Sequence, residues 1–266
     1  MSCPSSSSPI DTRNDSQTKI IRILALHGMG DTGDSFHQRH AAHLQAALDK
    51  YYYYYYHDST DTPRPPRLEL TCLNAPIPLD DTTFTWWTLP PGERSYTVDT
   101  YENFDTTSHV ILQALQQTNY DFVLGHSQGG IICAALCALG RIPNDSMPRG
   151  GFVWAGIAMP NPYRSQVLNM VNNNNHHSGP PKADILFVHG IHDPITSYNL
   201  GEEVYQAFER SHEYSVQWFA HDGGHEVPVT DDDAMQYMVQ WMKERMEQTT
   251  KNTALKDSQD TTSSKL

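Results

Sequence analysis

Short apolar segments alternate with helix-like segments through the middle of the chain. The apolar segments are rich in β-branched residues and have no polar face, which is typical of strands buried on both sides of a parallel sheet. We predict strands at 19–26, 67–73, 121–125, 151–157, 184–189 and 214–220. Segments of helical character lie between and after them, at 36–48, 101–117, 129–139, 200–210 and 232–247. The alternation predicts an α/β fold with a mostly parallel central sheet flanked by helices.

Polar stretches bound this patterned region. Residues 1–18 are predicted to be a disordered tail and residues 248–266 a second polar tail, which leaves one domain at 19–247. Tyr51–Tyr56 is interpreted as a low-complexity insertion, because a run of one residue type specifies no strand register. Residues 74–99 are rich in Pro and Thr and are predicted to form a long loop. Its two tryptophans, at 86–87, either wall a substrate pocket or anchor the loop.

Composition and charge exclude several classes of protein. The 266 residues carry 31 acidic and 18 basic side chains, a formal net charge of -13, with no Lys/Arg cluster that could bind nucleic acid. No apolar run reaches the roughly 18 residues of a membrane span, and residues 1–19 lack the apolar stretch of a secretory signal. The four cysteines (Cys3, Cys72, Cys133 and Cys137) are interpreted as free thiols rather than a disulfide framework. We expect a soluble intracellular protein.

One pentapeptide lies at a junction between a predicted strand and a predicted helix. Gly125-His126-Ser127-Gln128-Gly129 matches G-x-S-x-G and stands between the apolar segments 121–124 and 129–139. In that context the serine occupies a sharp turn at the carboxyl edge of the sheet, above a helix N-terminus whose dipole favours negative charge. Ser127 is therefore predicted to be a nucleophile, the alternative being an ordinary glycine-rich turn.

A serine hydroxyl needs a base and an acid that orients the base. On this kind of sheet they follow the serine in the order acid, then histidine. Asp193 lies in the loop after the strand predicted at 184–189, and His225 lies in the loop after the strand predicted at 214–220. Both loops leave carboxyl ends of strands, so both side chains are expected beside Ser127.

Other residues compete for these two roles. His221 directly follows the last strand and is the alternative base, but the two glycines before His225 give its backbone more freedom to reach the serine. Asp184 and Asp222 are weaker candidates for the acid, because each fits the chain order poorly. No H-E-x-x-H motif is present to indicate a zinc protease.

An oxyanion that develops on the substrate needs two backbone N–H groups directed at one point. The first is predicted to come from Gln128, at the start of the helix. The second is predicted to come from Met29, in the loop His27-Gly28-Met29-Gly30 that follows the first strand. Gly28 allows the close turn there.

Several segments, taken together and in order, resemble the FSH-type serine hydrolases, the α/β-hydrolases that are similar to the ovarian-cancer-associated hydrolase. The segments are ILALHGMGDTGDSF, NAPIP, WW, YENFDTTSHVILQAL, YDFVLGHSQGG, VHGIHDPITS and AHDGGHEVP, and they span about residues 20–245. The resemblance implies an α/β-hydrolase fold with catalytic residues at Ser127, Asp193 and His225. Our leading hypothesis is a serine hydrolase with no large lid domain, no cofactor and no metal, which cleaves carboxylic esters or acyl thioesters through an acyl-enzyme.

The chain departs from that family at a few places. His126 stands where the family usually has an aromatic or aliphatic residue, and the tyrosine tract and the asparagine tract at 172–175 are additional. The opening LHGMGDTGDSF is also similar to acyl-protein thioesterases, which keeps thioesters among the expected substrates. The alternative hypothesis is a non-catalytic protein that keeps the α/β-hydrolase shell and binds a small ligand. Such proteins usually lose a member of the triad, and none is missing here.

The last three residues, Ser264-Lys265-Leu266, match the peroxisomal targeting tripeptide that an import receptor reads. We therefore predict that this receptor is a partner and that the protein resides in the peroxisomal matrix, with the cytoplasm as the alternative. A peroxisomal location suggests that the substrates are acyl compounds of lipid metabolism, including acyl-CoA thioesters.

Two groups of potentially reactive side chains, one a possible metal site and the other a possible redox pair, are assigned structural roles. His37, His40 and His43 recur every three residues and are interpreted as a solvated helix face rather than a metal site. Cys133 and Cys137 lie one helical turn apart and are interpreted as small side chains buried against the sheet.

Overall fold

The computed structural model describes residues 19–56, 65–170 and 180–263, with the backbone alone at 52–56 and 252–263. Its strands are β1 (Ile20–Leu26), β2 (Arg67–Leu73), β3 (Ile77–Pro78), β4 (Phe84–Thr85), β5 (Phe122–His126), β6 (Gly151–Ala155), β7 (Asp184–Gly190) and β8 (Ser215–His221). Its α-helices are α1 (Gly33–Tyr56), α2 (Phe104–Gln117), α3 (Gln128–Ala138), α4 (Arg164–Asn169), α5 (Tyr198–Ser211) and α6 (Asp232–Ser263). None of the helices in these ranges is long and apolar enough to cross a membrane.

Six of the strands form one parallel sheet in the order β2-β1-β5-β6-β7-β8. Each strand that the apolar segments predicted lies in this sheet, so the predicted parallel α/β architecture is confirmed. β3 and β4 form a separate antiparallel pair within the loop predicted at 74–99.

The four central strands, β1, β5, β6 and β7, are buried on both faces over most of their length, which explains why they are mostly apolar. Leu24 and Leu26 of β1 face the layer that contains α2, α3 and α5, whereas Ile23 and Ala25 face the layer of α1 and α6. Burying one such aliphatic side chain stabilises the fold by about 1.5–3 kcal/mol. Cys133 and Cys137 lie in the first layer and are buried, as predicted.

Two helices are longer than the sequence pattern predicted. α1, expected to end at Leu48, continues to Tyr56, and Tyr51 is buried with its hydroxyl donating to the carbonyl of Asp232, 3.0 Å away. The first tyrosine of the tract therefore belongs to the packed domain. α6, expected to end at Glu247, continues to Ser263 through residues predicted to be a loose polar tail. Neither continuation contains Gly or Pro to stop the helix.

The three-residue repeat of histidines on α1 is only partly solvated, which corrects the predicted polar face. His37 and His43 are exposed, but His40 is buried and its Nδ1 donates to the carbonyl of Phe36, 2.6 Å away. Burial lowers the pKa of His40. A hydrogen bond within the helix thus lets this histidine pack against the Phe36 ring, 4.0 Å from its own.

Candidate active site

The sheet order places a crevice at the carboxyl ends of β1 and β5. The chain leaves β1 toward β2 on one side and leaves β5 toward β6 on the other, so the connections diverge between these neighbouring strands. In open parallel sheets, ligands bind at such a switch point, outside the carboxyl ends of the strands. The loop at 27–30 follows β1, and Ser127 follows β5.

Ser127 is held in a conformation that residues other than glycine rarely adopt. Its φ is 51° and its ψ is -121°, between the last residue of β5 and the first of α3. The Ser127 N–H donates to the carbonyl of Ala155, 2.9 Å away on the neighbouring strand, which fixes the turn. Local strain of this kind concentrates at functional sites, where the surrounding structure maintains it.

The two glycines of the pentapeptide are required by packing. A Cβ at Gly125 would lie 2.6 Å from the Cα of Gly130 in α3, and one at Gly129 would clash with the carbonyl of Leu26 in β1. Side chains at either position would push α3 away from the sheet. The G-x-S-x-G spacing therefore reflects the close approach of one helix to two strands.

Ser127, His225 and Asp193 form a continuous chain of hydrogen bonds. The Nε2 of His225 lies 2.9 Å from the Oγ of Ser127, and its Nδ1 lies 2.6 Å from the Oδ2 of Asp193. The three side chains come from the loops after β5, β8 and β7, which the sheet brings to one edge. The imidazole is thus placed to accept a proton from the serine while its other nitrogen donates to the carboxylate.

Asp193 is fixed independently of the histidine. Its Oδ1 accepts from the N–H groups of Ile195 and Thr196, each at 2.8 Å, and its side chain is fully buried. Burial alone raises the pKa of the Asp193 carboxyl, but the hydrogen bonds from His225 and from the backbone outweigh it, so the net pKa lies below its usual value. The carboxylate is therefore ionised and oriented before substrate arrives.

The structure places the competing residues elsewhere. His221 is buried at the end of β8, where its Nδ1 accepts from the N–H of Gly223, 3.2 Å away. Asp222 is exposed and pairs with His192 at 3.0 Å. Asp184 lies at the start of β7, at the opposite edge of the sheet, and pairs with Arg245 at 3.5 Å. None of the three has a hydrogen bond to Ser127 or His225.

Met29 and Gln128, whose backbone N–H groups are the predicted oxyanion donors, line the same cleft as Ser127. Neither backbone N–H group has a hydrogen-bond acceptor among the described residues. The Gln128 N–H also belongs to the first residue of α3, where the helix dipole favours negative charge. Two such donors beside a serine Oγ are suited to an oxyanion.

The loop that carries Met29 is braced by a buried polar network. The neutral ring of His27 donates through Nδ1 to the Gly28 carbonyl at 2.7 Å and accepts through Nε2 from the Ala75 N–H at 3.1 Å. Burial lowers the pKa of His27, which keeps this ring uncharged. The indole N–H of Trp86 donates to the His27 carbonyl at 2.7 Å.

Both tryptophans anchor the loop at 74–99, which decides between the two interpretations of this pair. Trp86 and Trp87 are fully buried, and neither lines the cleft at Ser127. Trp87 stacks on Tyr101 with ring centroids 4.0 Å apart, while the backbone N–H of Trp86 donates to the Gln128 Oε1 at 3.1 Å. The side chain of Gln128 thus ties the nucleophile's helix to the tryptophan loop.

Two residues at the cleft have no signal in the sequence motifs. Arg94 and Tyr96 lie in the same Pro/Thr-rich region and line the cleft with Ser127. The Tyr96 hydroxyl donates to the carbonyl of Ile195 at 3.1 Å, which joins this loop to the one that carries Asp193. The residues that line the cleft are Met29, Leu89, Arg94, Ser95, Tyr96, Ser127, Gln128, Ile131, Ile195 and Thr196.

The parallel sheet with a serine turn between strand and helix defines an α/β-hydrolase. Solved structures with the same fold include Arabidopsis thaliana SOBER1, with a TM-score of 0.52 and 17% identity over 85% of this chain and 99% of that one. They also include a Bacillus cereus carboxylesterase, with a TM-score of 0.54, 14% identity and coverage of 87% and 91%. A third is Zea mays acyl-protein thioesterase 2, with a TM-score of 0.52, 18% identity and coverage of 86% and 95%.

Sequence comparison identifies the family. The chain belongs to the Serine hydrolase (FSH1) family, whose model matches residues 17–237. Esterase OVCA2 of Xenopus tropicalis is 26% identical over 241 residues, which cover 87% of this chain and 95% of the relative. The FSH-type resemblance predicted from the sequence segments is thereby confirmed, and the protein is a serine hydrolase by family.

Proposed function

We propose that the protein hydrolyses carboxylic esters or acyl thioesters through an acyl-enzyme formed on Ser127. The observation that carries this proposal is the hydrogen-bonded chain from Ser127 through His225 to Asp193 at the switch point of the sheet. The relatives support the same reaction class, since their names include an esterase, a carboxylesterase and an acyl-protein thioesterase.

In the acylation step the Ser127 Oγ attacks the substrate carbonyl carbon while the His225 Nε2 takes its proton. The carbonyl oxygen becomes an oxyanion and accepts from the N–H groups of Met29 and Gln128. The tetrahedral intermediate then collapses, the bond to the leaving oxygen or sulfur breaks, and protonated His225 returns its proton to the departing alcohol or thiol. The acyl group remains as an ester on Ser127.

In the deacylation step His225 takes a proton from water, and the resulting hydroxide attacks the acyl-enzyme carbonyl. The second tetrahedral intermediate releases the carboxylic acid, and the proton on His225 returns to Ser127 Oγ. Asp193 keeps the proton of the neutral ring on Nδ1, so that Nε2 is free to accept, and stabilises the imidazolium that forms in each step. Every group the cycle needs belongs to the chain or to water.

A fluorophosphonate probe tests the proposal, because it labels a serine only when an adjacent base activates it. We expect the wild-type protein to be labelled and Ser127→Ala to be unlabelled, with circular dichroism showing both folded. Ser108→Ala is a control, since that serine is buried and its Oγ donates to the carbonyl of Phe104 within α2. A folded wild-type protein that takes up no label would favour the non-catalytic ligand-binding alternative.

We further propose that Ser264-Lys265-Leu266 directs the protein to the peroxisomal matrix through the import receptor. These three residues lie outside the described part of the chain. The support is the tripeptide itself, which matches the signal that the receptor reads. Peroxisomal acyl thioesters would then be among the substrates that the enzyme meets.

A further inference from the structure

We propose that Arg94 makes the cleft selective for substrates that carry an anionic group, a carboxylate or a phosphate. This inference rests on the proposed function and adds the chemical class of substrate to it. The guanidinium would bind the anion while Ser127 attacks the ester or thioester carbonyl in the same cleft. Arg94 would then be a specificity-determining residue.

The charge of the cleft is opposite to that of the whole protein. The formal net charge is -13, yet Arg94 is the one charged side chain among the described residues that line the cleft. The nearby carboxylate of Asp193 is buried and engaged with His225, Ile195 and Thr196. An anionic substrate therefore meets a local positive charge in a molecule that would otherwise repel it.

The guanidinium of Arg94 is available for a ligand. It has no ion pair and no hydrogen-bond acceptor among the residues that the structure describes, whereas several other arginines pair with Asp or Glu. The adjacent carboxylate of Glu93 forms no ion pair with it and accepts instead from the hydroxyl of Thr97 at 2.7 Å. The side chain is exposed, so it can reach a bound molecule at the mouth of the cleft.

The backbone beneath Arg94 is held in place. Its carbonyl accepts from the Thr97 N–H at 2.9 Å, and its own N–H donates to the Thr97 hydroxyl at 3.0 Å. The neighbouring Tyr96 donates to the carbonyl of Ile195 across the cleft. The arginine is thus carried by an anchored turn, which limits the positions its guanidinium can occupy.

The rest of the cleft strengthens an interaction with an anion. Met29, Leu89, Ile131 and Ile195 contribute apolar surface, which lowers the local dielectric constant. The N-terminus of α3 adds a partial positive charge on the same side. Arginine also binds carboxylate and phosphate groups with paired hydrogen bonds, which a lysine at this position would not supply.

Two pairs of matched substrates test the inference and distinguish the two sides of the scissile bond. The first pair is mono-4-nitrophenyl glutarate and 4-nitrophenyl pentanoate, which differ by a carboxylate at the end of the acyl group. The second is S-butanoyl-4′-phosphopantetheine and S-butanoyl-pantetheine, which differ by the phosphate of the leaving group. For each pair the measured quantity is the ratio of kcat/KM for the anionic substrate to that for the neutral one.

We expect the ratio to fall about three- to tenfold in Arg94→Ala, and further in Arg94→Glu, for at least one pair. The pair that responds shows whether the anion lies on the acyl or the leaving-group side. Raising the salt concentration should narrow the difference between wild type and variant, because the site is exposed. Arg67→Ala and Arg67→Glu are controls with the same charge changes, since Arg67 is exposed at the start of β2, at the opposite edge of the sheet.

Three results would overturn the inference. If the kcat/KM ratios of Arg94→Glu stayed within twofold of the wild-type ratios for both pairs, Arg94 would not be the residue that selects anionic substrates. The proposed ester or thioester hydrolysis would not be affected by that result. An equal fall of the kcat/KM ratio in the Arg67 variants would show that the net charge of the protein, and not the position of Arg94, causes the selectivity. If the folded wild-type protein hydrolysed none of the four substrates, the proposed function would be contradicted, and with it the proposed role of Arg94.

Discussion

The imidazole of His126 donates its Nε2–H to the backbone carbonyl of His225, 2.9 Å away. His126 directly precedes Ser127, so this bond joins the serine turn to the loop that carries the candidate base, in addition to the contact between the His225 ring and Ser127. Burial and the nearby ring of His225 lower the pKa of His126 to about 4. His126 is therefore neutral at physiological pH. This contact gives a physical reason for a histidine where the family usually has an aromatic or aliphatic residue.

The depressed pKa of His126 predicts a loss of stability in acid. The unfolded chain has the ordinary histidine pKa of 6.5, so it binds the proton first as the pH falls, and the folded state loses stability between about pH 6.5 and 4. At pH 5.5 this preferential protonation of the unfolded chain lowers the wild type's free energy of unfolding by about 1 kcal/mol relative to pH 8. His126→Phe loses one hydrogen bond, also worth about 1 kcal/mol, but has no such proton linkage. We expect the variant to be less stable at pH 8 and equal to wild type near pH 5.5.

Urea unfolding of the two proteins at several pH values measures this difference. His43→Phe is the control, since it makes the same substitution at an exposed position of α1. Unfolding free energies that run parallel from pH 8 to pH 5.5 would show that His126 does not stay neutral in the folded state.

The second prediction separates the two histidines near the end of β8. His225→Ala should lower ester turnover roughly 10⁴-fold or more, and the double variant Ser127→Ala/His225→Ala should be no worse than either single variant, because such residues act as a unit. His221→Ala removes a buried ring and should lower the melting temperature, yet it should leave most of the turnover. Steady-state kinetics on a 4-nitrophenyl ester, with thermal unfolding of each variant, would test this. A larger loss of turnover in folded His221→Ala than in His225→Ala would reverse the assignment.

Trp86 and Trp87 offer a matched pair for the third prediction. Trp86→Phe leaves the buried His27 carbonyl without its 2.7 Å donor, which should cost about 1–3 kcal/mol and loosen the loop that carries the Met29 N–H. We expect kcat to fall about tenfold with a smaller change in KM, since the oxyanion forms only in the transition state. Trp87→Phe changes a side chain of the same size and burial, but its indole N–H has no hydrogen-bond partner among the described residues. Equal losses of kcat in the two variants would mean that the His27 contact has no catalytic importance.

The fold and the serine turn were predictable because their signals are local. Strands buried on both faces are apolar throughout, and Gly125 and Gly129 are required by the close approach of α3 to the sheet. The choice of His225 followed from chain order and from the freedom of two glycines, and the structure brings that residue to Ser127. Helix ends were less predictable, because α1 and α6 continue through tyrosines and polar residues that neither stop nor specify a helix.

Residues that act through long-range contacts gave no recognisable pattern. The Trp86 indole donates a hydrogen bond to the His27 carbonyl, which lies 59 positions away in the sequence. The Tyr96 hydroxyl donates to the Ile195 carbonyl, which lies 99 positions away. His40 was misassigned to a solvated face because its partner, the Phe36 carbonyl, is a backbone group that side-chain patterns do not reveal. Arg94 shares no motif with Ser127, and its place in the cleft depends on how the loop at 74–99 folds back over the sheet.

The last prediction concerns the C-terminal tripeptide. Removal of Ser264, Lys265 and Leu266 should leave esterase activity and stability unchanged, because each contact described at the active site lies between residues 27 and 225. The location alone should change, from punctate peroxisomal to diffuse cytosolic, because the import receptor reads a free C-terminus. An N-terminal fluorescent fusion tests this by microscopy, with a C-terminal fusion as the control that masks the signal. If the full-length chain stayed diffuse in cells that import other Ser-Lys-Leu proteins, the tripeptide would be coincidental, and the link to peroxisomal acyl thioesters would have no support.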